Sequence, residues 1–393
     1  MKDYRLQVKR ERALAKGIIE ARQRRMPLEL LVRTSSKDET ANALERVGKV
    51  KHVFEFIPYL SFACGADDAE HIRDALLKKD GSNGYRQLAR LIEAMDISSK
   101  VALPKPQKAG RAMSGFWNLE NIGAYEAQKI GAGYDVKVAV IDTGIDYTHP
   151  ELRNNFGSEK GYNFVDGKEP YDDNGHGTHV SGIIAGKKCG IATDCQLYSL
   201  KVLNKDGEGT EADSMAAIEW ALKKNVDIVN MSLGAPVASA AFEDMCYYAK
   251  SQGLLLVAAA GNNGYGASYP AAFDDAVIAV AAVDYDNNHA DFSNIYETND
   301  ISAPGVDITS SYPGGYETLS GTSMAAPHVT GSLAIALGLS GSDDLEEIME
   351  KTATHLGERD EYGAGLINAF GIAKAVSGEE KGIFEIIKEV LWG

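Results

Sequence analysis

Between residues 138 and 340 the chain repeats one pattern: a short, mostly apolar run, continuous at 138–141, then a polar loop, then a helical stretch. The apolar runs are 138–141, 197–203, 226–231, 254–260 and 277–283. Helical stretches at 176–184, 212–223 and 242–251 lie between them, and a last one follows Ser323. Apolar strands alternating with helices imply a mostly parallel sheet covered by helices on each face. The fold class is therefore α/β. In such sheets a site forms beyond the carboxyl ends of the strands. Asp142 and Asn262 end apolar runs, while His176 and Ser323 open helices, so all four point to one rim.

Those four residue types are what acyl transfer by serine needs. Ser323 stands among small residues, Gly321, Thr322, Ala325 and Ala326, at the mouth of an apolar helix. There the helix dipole and free backbone N–H groups favour negative charge. A serine nucleophile also needs a base, a carboxylate to orient that base, and donors for the oxyanion. On its own, Gly-Thr-Ser is also consistent with a plain helix cap, and Asn262 in Gly-Asn-Asn-Gly with a turn residue.

The first hundred residues read differently. Residues 1–25 form a basic arm of net charge +6, read as an exposed helix with Leu14, Ile18 and Ile19 on a thin apolar stripe. Residues 26–103 read as strand, helix, one or two strands at 50–62, helix over 69–95 interrupted at 80–84, and a last strand at 100–103. Ser36 and Glu39 form a candidate capping box for the first of these helices. The β-α-β-β-α-β succession predicts a small α+β ferredoxin-like unit. Pro104, Pro106 and Gly110 mark a linker over 104–110, and the domain boundary is set at 110/111.

Charge changes at that boundary. Residues 26–110 carry +1, whereas residues 111–393 carry −23 of the overall −16. So acidic a body argues against a nucleic-acid partner; the basic arm could touch RNA or a membrane, but is read as a solvated helix. No apolar run is long enough for a membrane span; 254–260 is among the longest. The N-terminus lacks the apolar core of a secretory signal, so the chain as written is expected in the cytoplasm, or outside the cell if a leader was removed before numbering began. Cys64, Cys189, Cys195 and Cys246 fit no zinc spacing, though Cys189 and Cys195 could close a small loop.

Three motifs resemble those of the subtilisin-like serine proteases. Val138-Ala139-Val140-Ile141-Asp142-Thr143-Gly144 is similar to the family's aspartate motif, His176-Gly177-Thr178-His179-Val180 to its histidine motif, and Gly321-Thr322-Ser323-Met324-Ala325-Ala326-Pro327 to its serine motif. Ala258-Ala259-Ala260-Gly261-Asn262 resembles the segment with the oxyanion asparagine. The resemblance spans about residues 111–375 and implies Ser323 as nucleophile, His176 as base, Asp142 as its orienting carboxylate and Asn262 as oxyanion donor. It makes His179 and His328 structural, and Asp146 and His149 loop hydrogen-bonders. It implies that Gly207-Glu208-Gly209 and Ser232-Leu233-Gly234 flank an extended peptide, with Asn263 near the primary side-chain pocket and Tyr269-Pro270 a cis bond. Backbone pairing of that kind implies broad endopeptidase specificity on protein or peptide substrates. Residues 1–110 take the place of the family's propeptide, an intramolecular chaperone and inhibitor, with the processed chain starting near Arg111.

No cofactor is required by this chemistry. The family's tight calcium loop resembles an insertion after the histidine helix. Here Ala185-Gly186-Lys187-Lys188 runs almost directly into Cys189-Gly190, and the aspartate after His149-Pro150 is Glu151. No metal site is assigned. Weak calcium binding is left to the acidic run 166–173, which also reads as a solvated loop. A catalytically silent scaffold and an esterase are the competing readings; no Gly-x-Ser-x-Gly elbow surrounds Ser323. The apolar spacing at 383–392 is expected to cover a patch of the body.

Overall fold

The computed structural model describes residues 2–78, 85–104, 115–340 and 344–377. The expected break at 80–84, all of the linker but Pro104, the start near Arg111 and the stretch 383–392 lie outside the described residues.

The second part of the chain builds a seven-stranded sheet. It contains β6 (Lys137–Asp142), β7 (Gly161–Asn163), β8 (Gln196–Lys201), β10 (Ile228–Met231), β11 (Leu255–Ala259), β12 (Ile278–Val283) and β13 (Ile301–Pro304). Their order is β13-β12-β11-β10-β6-β8-β7, and each neighbouring pair is parallel. Strand side chains alternate between faces, and here both faces are apolar. Val138, Val140, Val257, Val280 and Ala282 join one buried cluster with α7 (His176–Ala185) and α10 (Thr322–Ser340). Ala139, Ile141, Leu256, Ala258 and Ala279 join the other, with α8 (Glu211–Lys223) and α9 (Ala240–Ser251). Chain order reverses between β6 and β10, so the crevice at their carboxyl ends is the switch point where ligands bind in such sheets. No helix among the described residues is long and apolar enough to cross a membrane.

The first part has its own core and sheet. Strands β1 (Leu28–Arg33), β2 (Gly48–Val53), β3 (Tyr59–Cys64) and β4 (Ala94–Ile97) form an antiparallel sheet in the order β2-β3-β1-β4, with α2 (Lys37–Leu44), α3 (Ala66–Lys78) and α4 (Arg86–Leu91). Leu30, Val32, Leu60 and Phe62 pack into this core, while Leu31 and Tyr59, on the opposite face, join the α8–α9 cluster of the second part.

Several expectations are corrected. The basic arm is a helix, α1 (Lys2–Arg24), but not a solvated one: Leu14 and Ile18 are buried in the core, and of the expected stripe only Ile19 is exposed. Burying that stripe against a sheet outweighs solvating it. Residues 94–97 form a strand, not the end of a helix. Segment β5 (Lys100–Ala102) does not complete the first sheet; it pairs with β9 (Glu208–Thr210) in the second part. Ser36 caps α2 by position alone, without a side-chain bond. Of the two states open to Cys189 and Cys195, the reduced one is found: both are buried free thiols, as are Cys64 and Cys246. The Cys189 thiol points at the Gly182 carbonyl, 3.4 Å away.

Candidate active site

Asp142 is the last residue of β6, and its carboxylate is fully buried. The Thr143 N–H donates to Oδ1 at 2.7 Å. His176 Nδ1 lies 2.9 Å from Oδ1 and 3.0 Å from Oδ2. A carboxylate only accepts, so Nδ1 carries a ring proton, and in the neutral ring that tautomer leaves the Nε2 lone pair free. His176 opens α7 directly after Gly175, whose φ of +111° suits glycine. A Cβ on Gly175 would come within 2.1 Å of the Tyr312 ring, so the turn that aims His176 admits no side chain.

The loop before His176 is held by a residue that the sequence singles out only as part of the acidic run 166–173. Asp172 is buried, and it accepts five hydrogen bonds. Oδ1 takes the Thr143 hydroxyl at 2.9 Å and the N–H groups of Asn174 and Gly175 at 3.0 and 2.8 Å. Oδ2 takes Thr178 N–H at 3.0 Å and its hydroxyl at 2.6 Å. One side chain thus ties the residue after Asp142 to the first turn of the histidine helix. The signal was the turn chemistry of Asp172-Asp173-Asn174-Gly175, masked by the charge of the run. Within that run Asp173 pairs with the buried Lys201, and Asp166 with Lys168.

Ser323 stands in the first turn of α10 and is 3% exposed. Its hydroxyl donates to the Ser232 carbonyl at 3.2 Å rather than to His176, and the Ser232 hydroxyl donates back to the Ser323 carbonyl at 2.9 Å. The Asn262 Oδ1 accepts from the N–H and the hydroxyl of Thr322, at 2.9 and 2.8 Å. Those bonds fix which way the amide faces, with Nδ2 toward Gly321 and the helix mouth. Asn294, also unforeseen, secures this loop. It accepts from Asn263 N–H at 2.7 Å and donates to the Gly266 carbonyl at 2.7 Å. At Gly261, where φ is +103°, a Cβ would fall 2.6 Å from the Asn294 amide nitrogen.

The remaining histidines are spectators to this arrangement. Burial pushes His179 down to about 3, with the nearby His176 acting the same way. Its Nε2–H donates to the carbonyls of Ile308 and Glu317, each at 3.1 Å. Burial likewise pushes His328 down to about 4, its Nδ1–H donating to the Met324 carbonyl and its Nε2 accepting from Asn118. His149 donates to the Gly315 carbonyl, and Asp146 accepts from Thr148. The Tyr269-Pro270 bond is cis.

The segments around Gly207 and Gly234 hold an extended strand between them. β5 is antiparallel to β9, with Val101 opposite Gly209 and Ala102 opposite Glu208. On its other edge Ala102 exchanges two hydrogen bonds with Gly234, at 3.2 and 3.0 Å, and Leu103 N–H donates to the Gly207 carbonyl at 3.0 Å. Val101 is fully buried in the α8–α9 cluster. Glycine on both flanks lets three backbones lie this close.

At Glu151 the donor set does not suit a calcium ion. Oε1 accepts the Tyr316 hydroxyl at 2.6 Å and Oε2 the Lys188 N–H at 2.6 Å, while the chain turns sharply from Gly186 to Gly190. Burial alone would raise this carboxyl, but those donors hold it below its ordinary range. Calcium needs ~6–8 oxygens around it; this carboxylate is surrounded by positive ends of N–H and O–H bonds.

Residues 133–365 match the Peptidase_S8 subtilase family. The chain is 37% identical over 374 residues to an alkaline protease of Alkalihalobacillus alcalophilus, covering 91% of each. Subtilisin E of Bacillus subtilis (strain 168) is 37% identical over 347 residues, or 84% of each chain. Subtilisin Savinase of Lederbergia lenta is 43% identical over 265 residues, covering 64% of this chain and 96% of that one. With the family matched over more than half its length and a rim on which Asp142 holds His176 beside the serine helix, this chain belongs to the subtilases and is a subtilisin-like serine endopeptidase.

Proposed function

We propose that Asp142, His176 and Ser323 are the triad of this endopeptidase, that Asn262 is its oxyanion donor, and that the chain is a self-processing zymogen with residues 1–110 as its inhibitor. The observation that carries this reading is the paired bond from His176 Nδ1 to both Asp142 oxygens, which fixes the tautomer a base requires. For reaction the Ser323 hydroxyl turns from the Ser232 carbonyl to His176 Nε2. Its proton passes to Nε2 as Oγ bonds to the substrate carbonyl carbon. The charge that develops on oxygen is met by the Asn262 amide and the Ser323 N–H at the helix mouth. His176 then returns the proton to the leaving amine, and water, activated by the same base, releases the acyl group. Asp142 stays ionised throughout and stabilises the imidazolium.

Extended binding between Gly207-Glu208-Gly209 and Ser232-Leu233-Gly234 supports broad specificity, because main-chain pairing ignores side chains. The chemistry calls for no cofactor, and the closed donor set at Glu151 supports weak calcium binding at most. The docked strand β5, which joins residues 1–110 to the cleft, supports the inhibitor role. The test is self-processing. Ser323→Ala is expected to fold and remain one uncut chain, followed by gel and intact mass; maturation of this variant at the wild-type rate would remove Ser323 from the mechanism.

A further inference from the structure

The strand in the cleft has a register, and the register says which residue reaches Ser323. Ala102 and Gly234 exchange both hydrogen bonds, so they form the closely bonded pair of an antiparallel ladder. Two residues on, the next such pair is residue 104 with Ser232. In that pair the N–H of residue 104 would donate to the Ser232 carbonyl. Residue 104 is proline and has no N–H. The Ser232 carbonyl instead accepts the hydroxyl of Ser323, at 3.2 Å. The group expected to attack is thus turned onto the acceptor that a strand donor would fill.

We infer that Pro104 is the residue whose carbonyl is delivered to Ser323, and that its missing N–H parks the Ser323 hydroxyl on Ser232. The bond presented is then Pro104–Lys105, six residues before the start expected at Arg111. A donor at position 104 has two effects. It adds one ladder hydrogen bond to the docked strand, and it competes with Ser323 for the Ser232 carbonyl, freeing the hydroxyl for His176. In the cut itself, Ser323 Oγ bonds to the Pro104 carbonyl carbon, the C–N bond to Lys105 breaks, and the Ser323 proton leaves on the Lys105 amine through His176. Water then hydrolyses the acyl ester and regenerates Ser323. Pro104 is a positioning residue here: it acts on Ser323 through Ser232.

This inference rests on Ser323 as nucleophile, and the experiment separates the two. Full-length wild type, Pro104→Ala, Pro106→Ala and Ser323→Ala/Pro104→Ala are incubated alike, with products read by intact mass and N-terminal sequencing. Pro104→Ala is expected to cut itself roughly three- to tenfold faster than wild type, the factor one net hydrogen bond supplies, and to yield a fragment beginning at Lys105. Pro106→Ala, the control for removing a nearby proline, is expected to cut at the wild-type rate. Wild-type speed for Pro104→Ala, equal acceleration by Pro106→Ala, or a first cut elsewhere in Pro104→Ala would overturn the inference and leave the role of Ser323 standing. Cutting by Ser323→Ala/Pro104→Ala would overturn the role of Ser323 itself.

Discussion

The rim around Ser323 and the α8–α9 face that meets residues 1–104 both carry hydrogen-bonded carboxylates, but they satisfy them differently. At the rim, Asp142 and Asp172 take every donor described above from the catalytic body: Thr143, Asn174, Gly175, His176 and Thr178. On the α8–α9 face only some of the donors are the body's own, such as Thr210 to Asp213 at 2.8 Å and Ser239 N–H to Glu211 at 3.2 Å; the others come from residues 1–104. Asp213 accepts from His52 at 3.1 Å, Glu219 from the N–H groups of Glu55 and Phe56, and Asp244 from the Tyr59 hydroxyl at 3.0 Å. Glu211 accepts from Ser99 N–H at 3.2 Å, and Arg10 of α1 donates to Glu243 and to the Ala238 carbonyl. A carboxylate whose partners are its own stays organised whatever is bound. One that borrows some of its partners can replace those bonds with water when they leave, at little cost. The first arrangement suits a preorganised site, the second the dissociating inhibitor proposed for residues 1–110.

The largest expected effect tests the preorganised side. Asn262→Ala should lower kcat by about 10²–10³ with little change in KM, the loss typical of removing one oxyanion donor in this family. The amide is already fixed by Thr322, so its benefit falls mainly in the transition state. Steady-state kinetics decide: a change confined to KM would make Asn262 a binding residue.

The borrowed side should give a smaller effect with a different readout. Arg10 is largely buried and makes two charge-assisted bonds to the catalytic body. Such bonds contribute about 1.5–3 kcal/mol. Arg10→Ala should therefore shorten the lag between self-cutting and the appearance of activity by roughly tenfold, and added salt should shrink the difference from wild type. The rate constant of a matured enzyme should not move. An unchanged lag would show that α1 anchors only its own domain.

Smallest is the expected response to calcium. A site held at one hundred times its Kd would add about 2.7 kcal/mol, or about 5–10 °C in a domain of this size. With Glu151 occupied by Tyr316 and Lys188, the unfolding temperature of Ser323→Ala should differ between chelator and millimolar calcium by much less than that. A shift of the full size would mean that a tight site exists elsewhere in the chain.

How much of this was legible in the sequence follows the same division. Strands buried on both faces leave mostly apolar runs, so the sheet and the ends where Asp142 and Asn262 stand could be read directly. The helix-opening positions of His176 and Ser323 were equally plain. Asp172 and Asn294 were missed because an aspartate in an acidic run, or an asparagine in a polar loop, looks the same whether solvated or carrying several buried bonds. The first domain was harder. Its helices are short, and residues 94–97 alternate too briefly for a strand to be told from a helix end. Leu14 and Ile18 make a thin stripe that only a tertiary partner can bury. Segment 100–102 was seen as a strand, but its partner lies more than a hundred residues away, where local pattern carries no information.

The central claim is that Ser323 is an activated nucleophile in a preorganised site. The most direct measurement is labelling of the full-length chain with a fluorophosphonate, followed by peptide mapping, because such a reagent reacts with an activated serine and not with an ordinary one. The account predicts a single adduct on Ser323, slow while residues 1–104 occupy the cleft and fast once they have left. An unlabelled chain after that release, or an adduct on any other serine, would contradict it.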